Sequence, residues 1–308
     1  MSIVVVGSVA YDTIQTLSGR VDRVLGGAAT YFALAASYFS RVRVVAIVGE
    51  DFTRQDEDVL RRHCIDTSGI VHAKGKSFFW AGEYGENLNE AKTLETQLNV
   101  FADFNPQIPA NYMDSEFLFL ANIDPVLQGN VRRQMNGQAK LVGGDTMNYW
   151  IRDHRTNLEK TLRRVDVLLI NDTEAKMLAG INSVPRAAQK VLEMGPKALV
   201  IKHGEYGATV FFKEGVYGGG RHPFRAPALP LEEVCDPTGA GDSFAGGFMG
   251  YIASQEEITR NVFKKAMFYG GVMGSFAVER FGTERLQQLS RGEIDQRYEI
   301  FRELTHIH

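Results

Sequence analysis

The segment from Cys235 to Gly250, CDPTGAGDSFAGGFMG, constrains this chain more than any other. A polar, glycine-rich turn runs directly into a stretch whose apolar residues recur at helical spacing, so a helix is predicted to begin within it. Asp242 then falls in the first turn of that helix. Glycines let a backbone approach a ligand closely, and the free N–H groups at a helix start favour an anion. The apolar stripe comprises Phe244, Ala245, Phe248, Met249 and Ile252.

Two interpretations of Asp242 follow from this position. An acidic residue in a first turn is often only a favourable partner of the helix dipole. Alternatively, the backbone amides hold a phosphate and Asp242 takes a proton from a substrate hydroxyl beside it, as phosphoryl transfer to an alcohol requires. The turn by itself leaves both open.

The run DPTGAGDSF resembles the C-terminal signature of the PfkB (ribokinase-like) carbohydrate kinases, which usually reads DTxGAGD. Pro237 stands where that family has threonine. The resemblance implies that Asp242 is the catalytic base and that the amides of Gly239, Ala240 and Gly241 form the anion hole.

The N-terminal half resembles the same family in three short motifs, Gly-Ser-x-x-x-Asp12, Gly26-Gly27 and Gly49-x-Asp51. The resemblance implies that Asp12 and the glycine pair contact the phosphoryl acceptor. Taken singly, each motif is equally explained as a turn residue or as the entry to a helix.

The acceptor region also departs from the family pattern. Tyr31 occupies a position that is usually asparagine; it either stacks against the acceptor or belongs to the core. Asp145 and Asn148 follow a predicted strand without matching the family's Asp-x-Asn-x-Arg in register. We expect these three residues to line the acceptor pocket.

A nucleotide site is implied by the C-terminal half. Asn171-x-x-Glu174 resembles the family motif that acts near Mg²⁺ through water, which suits an ion that keeps several waters. Lys202 can reach a phosphate as a point charge, and Gly204 and Gly207 resemble the family's Gly-x-x-Gly element beside ATP. A helix cap and a β-turn are the local alternatives.

A monovalent cation site is a further implication of the resemblance. Asp236 and Thr238 occupy positions that flank such a site, for example for K⁺, in many relatives. Because Pro237 replaces the usual threonine, the sequence does not decide whether a K⁺ site is present.

Two segments, about 11–25 and 76–104, interrupt the α/β alternation. Within the second, Phe78–Tyr84 and Gln97–Phe104 are predicted to be strands joined by a polar stretch. Such an insertion resembles the β lid of ribokinase-like kinases, which closes over the acceptor and excludes water. A homodimer paired through the lid is the alternative use of its aromatic residues.

Composition bounds the remaining expectations. The 308 residues carry a net charge of −3, which gives no reason to expect nucleic-acid or membrane binding. Two distant cysteines, the absence of a signal-peptide pattern and the lack of an apolar run of membrane-spanning length favour a cytoplasmic protein. The seven histidines, His306 and His308 among them, show no zinc-ligand spacing.

We therefore predict an α/β protein, a ribokinase-like three-layer sandwich with a mainly parallel central sheet and a small β lid, forming one domain over residues 1–308. The predicted activity is transfer of the γ-phosphate of ATP, with Mg²⁺, to a hydroxyl of a sugar or sugar-like acceptor. A nucleoside kinase, with Tyr31, Phe78 or Trp80 stacking on a base, is the alternative. A non-catalytic nucleotide-binding protein is more remote, because no Gly-x-Gly-x-x-Gly follows the first strand. The acceptor and the oligomeric state stay open.

Overall fold

The computed structural model describes residues 1–135, 139–220 and 222–305, so His306 and His308 lie outside the described residues. Within these ranges the chain forms 13 strands and 11 α-helices. The strands are β1 (Ser2–Val6), β2 (Ala10–Thr16), β3 (Gly19–Gly26), β4 (Arg41–Val48), β5 (Asp66–His72), β6 (Phe78–Tyr84), β7 (Ala91–Gln97), β8 (Phe117–Leu120), β9 (Leu141–Gly144), β10 (Val167–Asn171), β11 (Ala198–Lys202), β12 (Ala208–Phe212) and β13 (Phe224–Ala226). The helices are α1 (Ala28–Ser37), α2 (Arg54–Arg62), α3 (Pro125–Gln134), α4 (Asn148–Asp153), α5 (Arg155–Leu162), α6 (Asp172–Ala179), α7 (Val184–Glu193), α8 (Ala240–Ala253), α9 (Arg260–Ala277), α10 (Glu284–Gln287) and α11 (Arg291–Glu303).

Nine strands form one sheet in the order β13-β12-β11-β10-β9-β8-β1-β4-β5. All neighbours from β11 to β5 are parallel, and β12 and β13 add two antiparallel strands at one edge. Residues 3–6 of β1 are fully buried because helices cover both faces of a parallel sheet, which explains the continuous β-branched run.

The helices form the two outer layers. Side chains of α1, α8 and α9 share one core with alternate residues of the central strands, while α3 and α5–α7 pack against the opposite face. Helix α8 lies very close to α1, since a β-carbon at Gly246 would be 2.4 Å from the carbonyl oxygen of Phe32. This packing fixes where α8 begins relative to the sheet.

A second sheet has the order β3-β2-β6-β7 and is built from residues 10–26 and 78–97. The predicted strand Gln97–Phe104 is wrong: β7 ends at Gln97, and Asn99–Asp103 is a 3₁₀ helix. Val100 and Phe104 are buried in the core under the large sheet, so burial of these apolar side chains overrides their β propensity. The four-stranded sheet therefore ends at Gln97, before residue 104.

Among the described residues, no helix combines the length and the apolar character needed to cross a bilayer.

Candidate active site

Helix α8 starts from a turn that leaves backbone donors free. Gly239 is the N-cap residue and has a left-handed φ of 72°. The Ala240 N–H donates to the carbonyl of Pro237, and the Ser243 N–H donates to that of Gly239. Between them, the N–H groups of Gly241 and Asp242 donate to no backbone carbonyl of the described residues. The helix start is therefore equipped to bind an anion, with the carboxylate of Asp242 beside it.

Three neighbouring parallel strands end opposite this turn. Asp145 follows β9, Glu174 lies in the first turn of α6 after β10, and Lys202 ends β11. A β-carbon at Gly241 would lie 2.7 Å from Lys202 Nζ, so this ammonium group faces the predicted anion hole. The carboxyl ends of adjacent parallel strands thus place these side chains around the start of α8, as is usual for ligand sites in such sheets.

Asn171 and Glu174 form a reciprocal capping box. Asn171 Oδ1 accepts from the Glu174 N–H, and Glu174 Oε2 accepts from the Asn171 N–H, both at 2.8 Å. Glu174 is nevertheless buried beside Lys202. Glu174 therefore caps α6, as the local interpretation predicted. Its carboxyl group also lies close to Lys202, in a cluster of carboxyl groups that includes Asp145 and Asp242.

Burial sets the electrostatics of this cluster. It raises the pKa of Asp242 to about 6, an effect that Lys202 opposes and Glu174 reinforces. Burial also raises the pKa of Asp145, which Asp242 raises further, and the pKa of Glu174. Three carboxyl groups thus lie near the ammonium group of Lys202, and the surplus negative charge favours the protonated form of a carboxyl group.

Asp12 lies on the other side of the pocket. Its Oδ2 occupies the space above Gly26, where a β-carbon would be only 1.9 Å away. Burial raises the pKa of Asp12 to about 7; a hydrogen bond from the Gly27 backbone lowers it, and Asp236 and Asp242 raise it. The structure therefore brings Asp12 and the glycine pair near the start of α8.

Tyr31 packs beneath the turn. A β-carbon at Gly239 would be 2.3 Å from Tyr31 Cδ1, and only 1 % of the residue is exposed. Its hydroxyl is buried without a hydrogen-bond partner among the described residues, and burial raises its pKa. The sequence left two alternatives for Tyr31, stacking against the acceptor or packing in the core. The structure places the ring in the core.

Tyr84 is a pocket residue that the sequence analysis missed. It is the last residue of β6, and its phenol oxygen accepts from the hydroxyl of Thr238 at 3.3 Å. Burial raises its pKa to about 12, with contributions from Asp236, Asp12 and Asp242. The sequence did place Tyr84 at the end of the predicted lid strand Phe78–Tyr84, and this position could have indicated a pocket residue.

Asp236 holds the turn in place. It is fully buried, Oδ1 accepts from the Thr238 N–H, and Oδ2 accepts from the Gly282 N–H, both at 2.8 Å. The carboxylate thus ties the turn to the segment after α9. A cation bound here would need carbonyl or hydroxyl oxygens as well, since the described residues contain no cluster of three or more metal-binding side chains.

Three predicted residues lie at the margin of the site. Asn148 is exposed at the start of α4 and forms no hydrogen bond with the cluster among the described residues. Gly207 packs on the carbonyl of Ala226, which leaves no room for a side chain. Gly204 is exposed and lies against Asn89 of the β6–β7 connection, whose Oδ1 would be 2.0 Å from a β-carbon at this position.

The start of α8 combines free backbone N–H groups, a nearby ammonium group and a carboxyl group, which is a set of groups that fits phosphoryl transfer to a hydroxyl acceptor. The model of the pfkB family carbohydrate kinases matches residues 1–288, and the chain belongs to that family. The family resemblance and the three-layer fold with a mainly parallel sheet are therefore confirmed.

Curated relatives and solved structures agree with this assignment. A cytidine kinase from Thermococcus kodakarensis is 32 % identical over 253 residues, which cover 81 % of this chain and 87 % of that protein. A nucleoside kinase from Methanothermobacter thermautotrophicus is 26 % identical over 88 % of this chain and 83 % of its own. The structure of the nucleoside kinase of Methanocaldococcus jannaschii, described as an archaeal member of the ribokinase family, superposes with a TM-score of 0.76 at 19 % identity and covers 97 % of this chain and 98 % of that one.

Proposed function

We propose that this kinase transfers the γ-phosphate of ATP to a hydroxyl group of a nucleoside, with Asp242 as the general base. The observation that carries the proposal is the arrangement at the start of α8, where the carboxyl group of Asp242 adjoins the free N–H of Gly241 and the ammonium group of Lys202. A single helix start then binds the transferred phosphoryl group and deprotonates its acceptor.

The chemistry follows from these groups. Of the three predicted anion-hole amides, the Ala240 N–H donates to a backbone carbonyl of the same turn, so we assign this role to the N–H groups of Gly239 and Gly241. They stabilise negative charge on the transferred phosphoryl group, each by roughly 3 kcal/mol if well placed. Lys202 adds a positive charge on the same side. Asp242, with a pKa of about 6, is ionised at neutral pH and accepts the proton of the attacking hydroxyl.

Magnesium suits the surplus of carboxylates in the site. A bound Mg²⁺ would neutralise negative charge on the phosphates of ATP. Glu174 is the residue that we assign to it, through water, because the carboxylate is already held by the capping box. For K⁺ we propose the surroundings of Asp236 and Thr238; activity in KCl compared with choline chloride tests this assignment.

The nucleoside acceptor is supported by the names of the two relatives that cover most of the chain. The sequence favoured a sugar or sugar-like acceptor, and the family description keeps it as the second candidate. ATP consumption with a panel of nucleosides, pentoses and hexoses separates the two. A catalytic efficiency at least tenfold higher for one sugar than for every nucleoside would overturn the nucleoside proposal.

The four-stranded sheet is the proposed lid of one domain spanning residues 1–308. It contributes Tyr84 to the pocket, and its outer strand β7 is exposed along its length. An exposed edge strand is a ready surface for pairing, which supports a homodimer through the lid. Light scattering of wild type and of Leu94→Lys tests that dimer. The two free cysteines support a cytoplasmic location.

The decisive test of the function is Asp242→Asn. We expect turnover to fall by about 10³-fold while ATP binding persists, because only the proton acceptor is lost. Near-normal turnover would remove Asp242 from the role of base.

A further inference from the structure

A basic cavity lies between α3 and α5, away from the α8 start. Its volume is about 390 Å³, which falls in the range of small-molecule pockets. Four cationic side chains line it, and no carboxylate does among the described residues. The cations are Arg133, Lys160, Arg163 and Arg164.

Three of these cations form no side-chain hydrogen bond with the described residues, while Arg133 donates to Oδ1 of Asn130 in the same cavity wall. All four are exposed, and none forms an ion pair with a carboxylate of the described residues. The carboxylates nearest along the two helices are engaged elsewhere: Asp124 caps α3, and Glu159 pairs with Arg155. In a chain of net charge −3, a local cluster of four positive charges is a distinct positive field.

The cavity is also held in shape. The hydroxyl of Thr161 in α5 donates to the carbonyl of Pro125 at 2.7 Å, which joins the two helices at its base. Asn130 and Asn157 supply uncharged polar groups, and Val126, 45 % exposed, supplies an apolar wall. Mixed polar and apolar walls suit a small organic anion better than a continuous nucleic-acid backbone.

We propose that this cavity binds a small anion with at least two adjacent phosphate groups, such as the polyphosphate of a nucleotide. Several phosphates match four cations in charge, and guanidinium groups bind phosphate oxygens in pairs. The site is separate from the α8 turn.

The cavity has a direct connection to the pocket. Gln128, next to Gly129 of the cavity wall, donates from Nε2 to the carbonyls of Leu120 at 3.2 Å, Ala121 at 3.0 Å and Asp145 at 3.0 Å. Helix α3 thereby holds the ends of β8 and β9, where Asp145 joins the carboxylate cluster. If the bound anion displaces α3, Gln128 moves the carbonyl of Asp145 with it, and the proposal therefore extends to a coupling between the cavity and the pocket.

Isothermal titration with inorganic tripolyphosphate tests the binding site. The wild-type chain is compared with Lys160→Ala/Arg164→Ala and with a matched control, Arg186→Ala/Lys190→Ala, which removes two exposed cations from α7. Binding at the α8 turn contributes equally to all three proteins. We expect binding to the cavity to weaken about tenfold or more in the first variant only, because two charge-assisted contacts are lost.

Equal isotherms for the three proteins would overturn the proposal, provided that thermal melts show both variants to be folded. Binding of a single-stranded RNA that depends on the cavity cations, without any such dependence for tripolyphosphate, would overturn it in favour of a nucleic-acid surface. The coupling is read separately, as an acceptor KM at a fixed ATP concentration near the KM for ATP, where competition at the α8 turn affects all three proteins equally. We expect tripolyphosphate to change that KM about fivefold in wild type and control but not in the cavity variant. Binding without any change in KM would refute the coupling through Gln128.

Discussion

The start of α8 and the four-stranded sheet contribute to the same pocket but are stabilised very differently. Residues 243–253 of α8 are all buried between α1 and α9. Strand β7 of the small sheet is exposed at every residue. That sheet is attached to the main body through Asp51, which accepts from Arg23 of β3 and from the backbone and hydroxyl of Ser77 just before β6.

The difference in burial between α8 and the small sheet suggests that catalysis and substrate closure are carried by different parts of the molecule. The groups that we propose to act on the phosphoryl group lie on a packed frame, formed by the parallel sheet with α1, α8 and α9, so their positions are fixed before substrate binds. Tyr84 ends β6, a half-buried strand whose neighbour β7 is fully exposed, and we expect an element with such an exposed side to open and close over a ligand. We therefore expect changes near α8 to alter turnover and changes in the small sheet to alter acceptor affinity.

Asp242→Asn is expected to give the largest effect, the loss of about 10³-fold in kcat described above. Asp103→Asn, at an exposed position of the 3₁₀ helix, is the matched control and should retain wild-type kcat. A change confined to the acceptor KM would show that Asp242 binds the acceptor and does not act in catalysis. The proposed division between the α8 region and the small sheet would then be wrong.

Lys202→Met should cost about 10²-fold in kcat/KM for ATP, because a preorganised charge facing the phosphate is removed. It should also move the acid limb of the kcat profile. Lys202 lowers the pKa of Asp242, so its removal raises that pKa above about 6 and shifts the limb to higher pH. The profile is measured from pH 5 to 9, with Lys190→Met on α7 as control. An unshifted limb would show that Lys202 does not face Asp242 in the working enzyme.

Tyr84→Phe tests the small sheet. Loss of the phenol hydroxyl, which is bonded to Thr238, should raise the acceptor KM by roughly tenfold and leave kcat within about twofold. Initial rates at saturating ATP measure both constants. A loss expressed mainly in kcat would instead assign Tyr84 to the chemistry.

The comparison also explains what the sequence could predict. The α8 turn is a contiguous motif, so its glycines and Asp242 are readable from local spacing and from the family resemblance. Lys202 and Glu174 are separate along the chain, and the parallel sheet brings them together, whereas Asp12 reaches the pocket from β2 of the small sheet. Tyr84 carries no motif, since its role depends on how β6 pairs with β2. The end of the small sheet was mispredicted because apolar residues recur at positions 98, 100, 102 and 104 with the period of a strand, whereas Val100 and Phe104 pack into the core under the large sheet.

Tyr31→Phe is expected to give the smallest effect. It tests whether a residue packed under the start of α8 also contributes to acceptor binding. The ring lies under Gly239 in the packed frame, and its hydroxyl is buried without a partner. Removing an unpaired buried hydroxyl relieves its desolvation cost, so the free energy of unfolding should stay equal or rise by up to about 1 kcal/mol. Thermal melts and kinetics with the preferred acceptor measure the outcome. A tenfold rise in acceptor KM would mean that this hydroxyl binds the acceptor, and the packed frame would then share the task assigned here to the small sheet.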